Sequence, residues 1–351
     1  MSIIESLGKG FQVVRRYWWL PLIPILLDTF LWIGPQASVE NLMRQTLDAL
    51  PVEMADAPNE DMSEWVKSLQ AAMGEMASRY NGFSALRVGL LGVPSLMSWG
   101  EVRLGSASTY ETMWIIFSLI TDRPDLLVSV PDATFVDVLV LQLTQPWSWL
   151  LSSILLAIAG ILIGCTYLAS ITHTLRGLSD SRTFWQRVLR LGSHCVLFWV
   201  LRAVVMLIAG VPFVLVFLAL SAFSPALSSL FGTIVLGMVT WLSFYGTFLV
   251  AAMAMNDASV LQAIWYSFNV VLRNFGSTLG LFLLINLIGG GLTILWQRLS
   301  TGSWWTWIGI VGNAYVGTSL VVASLVFYHD RYTRWREALI GALAGQSKRT
   351  A

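Results

Sequence analysis

Apolar residues are concentrated in six stretches of the chain, each long enough to cross a membrane as a helix. A helix needs about 20 apolar residues to cross a hydrocarbon layer about 30 Å thick. The stretches that meet this requirement are residues 17–34, 147–172, 195–222, 227–255, 276–296 and 304–328. Short loops join the third stretch to the fourth and the fifth to the sixth, so these neighbours are predicted to form antiparallel hairpins.

Two of these stretches are directly preceded by an amphipathic segment. In each segment, apolar residues recur at helical spacing and polar residues lie on the opposite face. Ile3–Arg16 and Val260–Arg273 align without gaps, 257 residues apart, and share a Phe, an amide side chain, two valines and an arginine. Residues 181–194 have the same place before the third stretch. The pattern predicts an all-α integral membrane protein of six transmembrane helices, arranged as three hairpins. Each hairpin is preceded by an interfacial amphipathic helix, at residues 1–16, 181–194 and 258–274.

Residues 263–275, an amphipathic helix before a glycine-rich span, resemble a group of poorly characterised bacterial six-span membrane proteins. The group includes the membrane domain fused to some glycerophosphodiester phosphodiesterases. The resemblance covers the six spans and implies a shared fold in a bacterial cytoplasmic (inner) membrane, without the enzymatic activity. Nothing in this chain is similar to the phosphodiesterase catalytic domain, and the long insertion after the first span departs from the group's pattern.

Charged residues in the flanks of the spans predict the orientation. If the N-terminus is inside, the inner segments hold thirteen Lys and Arg against five Asp and Glu. Basic residues are enriched in cytoplasmic flanks. Tryptophans, which favour the membrane–water boundary, fall near the ends of the predicted spans and agree with this topology. Both termini are therefore predicted to be cytoplasmic, and residues 331–351 to form a basic tail.

Composition also favours a membrane protein. Apolar residues make up 56% of the chain and charged residues 12%, against a usual charged share of about 25%. So few charged residues are not enough to cover a water-soluble surface. The predicted partner is therefore the lipid bilayer. The sequence has no block of basic residues, which argues against nucleic acid as a partner. Cys165 and Cys195 lie in apolar segments and are predicted to be buried thiols.

Residues 36–145 separate the first span (17–35) from the bundle of the other five (146–330). This insertion carries fourteen acidic and six basic residues, a net charge of −8. Residues 39–50 and 62–80 have helical periodicity. We predict an extracytoplasmic acidic helical cap that rests on the outer ends of the spans. A solvated cap is the default interpretation, and a partner-binding role is the alternative.

Four polar side chains are predicted at membrane depth: Asp28, Arg202, Asn286 and Asn313. Ionisable groups at this depth are costly and often mark functional sites. We predict that the four meet in the bundle interior, with Asp28 and Arg202 paired. Two interpretations stay open, a substrate or proton site and a structural clamp. The clamp is favoured because carriers usually have more intramembrane polar groups.

No sequence signature indicates chemistry: we predict no catalytic residue, no cofactor and no metal site. Metal-ligand spacings, a phosphate-binding loop and a nucleophile elbow are all missing from the sequence. The leading hypothesis is a non-enzymatic scaffold or accessory subunit of a membrane assembly, with membrane-protein partners or a second copy of the chain. A small transporter or lipid-handling carrier with a polar site near Asp28 is the alternative, and a membrane enzyme is third.

Overall fold

The computed structural model describes residues 1–38, 83, 86, 92–96, 140–142, 145–177, 181–299 and 304–350. Within these residues the chain forms helices and one pair of three-residue strands. The helices are α1 (Ile3–Arg16), α2 (Leu22–Ile33), α3 (Pro146–Arg176), α4 (Ser181–Phe223), α5 (Pro225–Tyr245), α6 (Leu249–Asn256), α7 (Val260–Arg273), α8 (Phe275–Leu299) and α9 (Trp305–Thr350). The strands, β1 (Gln36–Ser38) and β2 (Val140–Gln142), pair in parallel with Gln36 opposite Val140.

Five helical segments are long and apolar enough to cross a membrane. They are Pro146–Arg176, Phe184–Ser221, Ala226–Asn256, Phe275–Leu292 and Trp305–Gly341. The chain is therefore an all-α membrane protein with several spans, as predicted. The predicted first span is different, because α2 has 12 residues and reaches about 18 Å. A turn through residues 18–21 precedes this helix, which therefore begins only at Leu22. The sixth transmembrane span stays a prediction.

The helix α1 packs lengthwise against α9 in the opposite direction. The amino group of Met1 lies 3.2 Å from the Asp330 carboxylate, and the Phe11 and Tyr315 rings are 6.3 Å apart between centroids. The chain from Met1 to Phe11 thus follows α9 from Asp330 back to Tyr315. The buried face of α1 therefore contacts protein. Its predicted position at the membrane interface stays a prediction.

The internal repeat has a counterpart in the helix starts. The Ser2 side chain caps α1 in a capping box with Glu5, and Ser259 and Gln262 do the same for α7. These residues are also 257 apart. Positions equivalent across the repeat are buried in both helices: Ser6 with Ala263, Gly10 with Ser267, and Val14 with Val271. Because both the caps and the buried faces coincide, α1 and α7 are structurally equivalent helices.

The third predicted unit does not have a separate amphipathic helix. Residues 181–194 are helical, but they continue without a break into the apolar part of α4, which is 43 residues long. The chain between residues 181 and 211 contains no proline to end the helix, whereas α1 is followed by a turn that reaches Pro21. No helix end therefore occurs at residue 194, and the interfacial position of residues 181–194 stays a prediction.

The centre of the packed region is the short helix α6. All of its residues from Leu249 to Met255 are buried, as expected of a helix that is apolar on every side. A turn at residues 246–248 separates α6 from α5 within the span predicted at 227–255. The buried Ser267 hydroxyl donates to the Tyr245 carbonyl at 2.6 Å and accepts the Phe248 N–H at 3.1 Å. One side chain of α7 thus satisfies both backbone groups at the turn.

We expect Ser267→Ala to lower the free energy of unfolding by about 2 kcal/mol, because two buried backbone groups lose their partner. Thermal unfolding of the purified protein in detergent measures this loss. The matched control is Ser193→Ala, since Ser193 is exposed and bonds only within its own helix. Equal melting temperatures for the two variants would contradict this role of Ser267.

Candidate functional site

The buried carboxylate of Asp28 is the polar centre of the N-terminal region. Asp28 lies on α2 and has no exposed surface. One carboxylate oxygen accepts the Leu96 backbone N–H at 2.7 Å, and the other accepts the Ser95 hydroxyl. Both donors belong to the insertion between the first two predicted spans. Asp28 therefore holds a segment of its own chain that is more than sixty residues away in sequence.

The segment 92–96 is shaped to reach this carboxylate. Gly92 has φ 86°, a left-handed conformation that glycine adopts without steric cost. Val93, Ser95 and Leu96 are buried. On α3, a side chain at Gly160 would overlap the Leu86 carbonyl oxygen, so this part of the insertion also approaches α3 closely. The predicted helices at 39–50 and 62–80, and most of the predicted cap, lie outside the described residues.

Arg202 has a different environment from the one predicted. Its guanidinium carbon lies 5.2 Å from the centre of the Trp199 ring, three residues earlier on α4. A cation over an indole face gains electrostatic stabilisation. Asp28 thus accepts a hydrogen bond from Ser95, and Arg202 contacts Trp199. The predicted Asp28–Arg202 pair is not formed. The prediction compared only depths along the helices, and these do not specify which faces meet.

The two asparagines also have separate environments. Asn286 is exposed on α8, and its side-chain amide donates to the Phe282 carbonyl of the same helix at 2.7 Å. Asn313 is buried on α9, and its amide nitrogen lacks an acceptor among the described residues. The described hydrogen bonds thus do not join the four predicted residues into one site.

Other buried polar pairs, which the sequence analysis did not identify, connect α9 to the packed region. Tyr167 on α3 donates to the Thr318 hydroxyl at 3.1 Å. The Asn256 amide donates to the Tyr328 hydroxyl at 2.7 Å. No local sequence signal indicates such pairs, because each joins helices that are distant in sequence. Within the described part of the chain, no group of three or more His, Cys, Asp or Glu is placed to hold a metal ion.

Ser95 is the hydrogen-bond partner of Asp28 that the sequence did not predict. The surrounding residues Gly92 and Pro94 indicate a turn, but a turn does not predict which buried group it contacts. Chemically, the arrangement places two donors on one carboxylate and excludes water from it. Those are the properties of a structural clamp more than of an open binding site.

Comparisons with family models, with curated proteins and with solved structures found no match. The function is therefore argued from the chain's own geometry. The resemblance to bacterial six-span proteins stays a prediction.

Proposed function

We propose that this chain is a non-enzymatic membrane protein that acts as a scaffold or accessory subunit, and that the α4–α5 hairpin contacts the helices of another membrane protein. The observation that carries this proposal is the exposure of the hairpin. None of the most apolar 18-residue stretch of α4 is buried, whereas 72% of the corresponding stretch of α9 is buried. The hairpin leaves a large apolar surface without contacts from the rest of the described chain.

Two features of the hairpin favour a protein partner over lipid alone. Gly210 on α4 and Gly237 on α5 are both open, with nothing within 4 Å of where a side chain would begin. Small residues let helices approach closely in membranes. Arg202 is a charged group within the apolar stretch, and charged groups at that depth usually face protein or a water-filled cavity. Together these residues suit a helix–helix interface.

Photo-crosslinking in native membranes tests the proposal. We expect p-benzoylphenylalanine in place of Leu207 on α4 or Leu242 on α5, both exposed, to give a protein adduct of defined mass. The matched control is the same probe in place of Leu261 on α7, which is as exposed as Leu242, at 75% each. Lipid adducts alone at all three positions would overturn the proposed interface.

A carrier function at Asp28 is the second candidate, because a fully buried carboxylate on an apolar helix is the type of group that proton and substrate pathways use. The hydrogen bonds from Ser95 and Leu96 favour the clamp instead. The two functions predict different consequences of replacing Asp28.

We also propose that the protein resides in a bacterial cytoplasmic membrane with both termini in the cytoplasm. The basic flanks support this orientation. In sealed cells, a membrane-impermeant maleimide should label Glu60→Cys and leave Gly345→Cys unlabelled. The native Cys165 and Cys195 are buried and give a low background. Labelling at position 345 would contradict the orientation.

A further inference from the structure

A basic cleft lies where α3 ends, α4 begins and α6 ends. Its charged and polar lining consists of Arg187, Arg190 and His194 from α4, Thr172 from α3, and Asp257 just after α6. The cleft lies beside the last turns of α3. This end of the bundle is predicted to face the cytoplasm. It is separate from Asp28, because none of its lining residues belongs to α2 or to residues 92–96.

Among the described residues, the charges in this cleft are not balanced. Asp257 is already paired, since its carboxylate lies 3.1 Å from an Arg176 guanidinium nitrogen. The Arg187 guanidinium has a nitrogen that is buried and has no hydrogen-bond partner among the described residues. Arg190 is exposed beside it. A buried unpaired cationic donor is costly. The interior of the cleft has room for about one water molecule, so an anion bound at its mouth would lower this cost.

We propose that the cleft binds a phosphate group, with Arg187 and Arg190 as the ligands. A guanidinium presents a planar fork of donors that fits the oxygens of a phosphate. Basic pockets between membrane helices on the cytoplasmic side are suited to anionic lipid headgroups. The exposed apolar residue Leu197 lies on α4 about one turn beyond His194 and offers a surface for an acyl chain. The phosphate is therefore either the headgroup of an anionic lipid or free phosphate.

Native mass spectrometry of the purified full-length protein tests this site. The protein is presented with dioleoylphosphatidylglycerol, with dioleoylphosphatidylcholine, or with inorganic phosphate alone. We expect one tightly held equivalent of the anionic lipid, and an affinity that falls about tenfold in Arg190→Gln, since each charge-assisted hydrogen bond contributes on this scale. Arg187→Gln should have an equal or larger effect. The matched control is Arg15→Gln, which removes an exposed arginine from α1 at the same predicted side.

The outcomes separate the two sources of phosphate. Loss of phosphatidylglycerol binding in the cleft variants but not in Arg15→Gln, without binding of inorganic phosphate, identifies a lipid site. Binding of inorganic phosphate that is lost in the same variants identifies a site for free phosphate. An equal effect of all three substitutions would overturn the proposal, as would the absence of both inorganic phosphate binding and any preference for phosphatidylglycerol over phosphatidylcholine. Arg190 is exposed, so Arg190→Gln keeps the test valid if Arg187→Gln does not fold.

Discussion

Gly10→Ala is expected to destabilise the protein by about 3 kcal/mol, the upper part of the range for overpacked sites. A methyl group at Gly10 would overlap the Ser319 carbonyl oxygen of α9 and would lie 2.8 Å from the Ala323 side chain. Backbone and Cβ atoms do not rotate away from such a contact. The helices α1 and α9 would therefore have to separate along the interface that runs from Met1 to Phe11. Thermal unfolding in detergent measures the effect.

The control has the opposite expected sign and lies on the same helix. Gly8 is exposed, and a methyl group there meets nothing within 4 Å. Because alanine is favoured over glycine inside a helix by about 1 kcal/mol, Gly8→Ala should raise the melting temperature. If Gly10→Ala is as stable as Gly8→Ala, α1 does not pack on α9 in the way described here.

Local sequence signals were sufficient to predict the amphipathic helices. The helices predicted at 1–16 and 258–274 are observed as α1 and α7, and the aligned segments Ile3–Arg16 and Val260–Arg273 coincide with their ends. Their starts are set by residues close in sequence, namely a serine and the Glu or Gln three positions later. The direction of α1 was not predictable in this way. It depends on the fit of Gly10 against α9, more than three hundred residues further along the chain.

The features that were missed depend on contacts between distant segments. The turn at residues 246–248 interrupts an apolar stretch whose hydropathy is continuous, and the side chain that supports it, Ser267, belongs to a later helix. Likewise, the predicted depth of Asp28 indicated that it needs a polar partner, and the structure gives it hydrogen bonds from Ser95 and Leu96. The predicted partner, Arg202, was wrong. A buried carboxylate needs hydrogen-bond donors, and both a short insertion segment and a long arginine side chain can supply them.

Asp28→Ala is expected to cost about 3 kcal/mol, because the substitution leaves a buried backbone N–H and a buried hydroxyl without their acceptor. The matched control is Thr29→Val on the adjacent residue. The Thr29 hydroxyl is buried and has no hydrogen-bond partner among the described residues, so its removal should be neutral or slightly stabilising. A difference between the two variants isolates the Asp28 contacts from general disturbance of α2.

A second readout shows whether the substitution releases the segment 92–96. In a background without the native cysteines, Val93→Cys should react slowly with a maleimide, since Val93 is 5% exposed. The reaction should become much faster when Asp28→Ala is added, and stay slow when Thr29→Val is added. Unchanged labelling would contradict the clamp, since the segment would then be held by other contacts.

Proton flux distinguishes the clamp from the carrier. Asp28→Asn keeps one acceptor oxygen and the size of the side chain but removes the ionisable group. For the clamp, this variant in liposomes containing a pH-sensitive dye should show the same flux as the native protein and a lower melting temperature. For the carrier, the native protein should conduct protons or a proton-coupled substrate, and Asp28→Asn should fold normally and lose that flux. Because both oxygens of Asp28 are bound by donors of its own chain, we expect the first result.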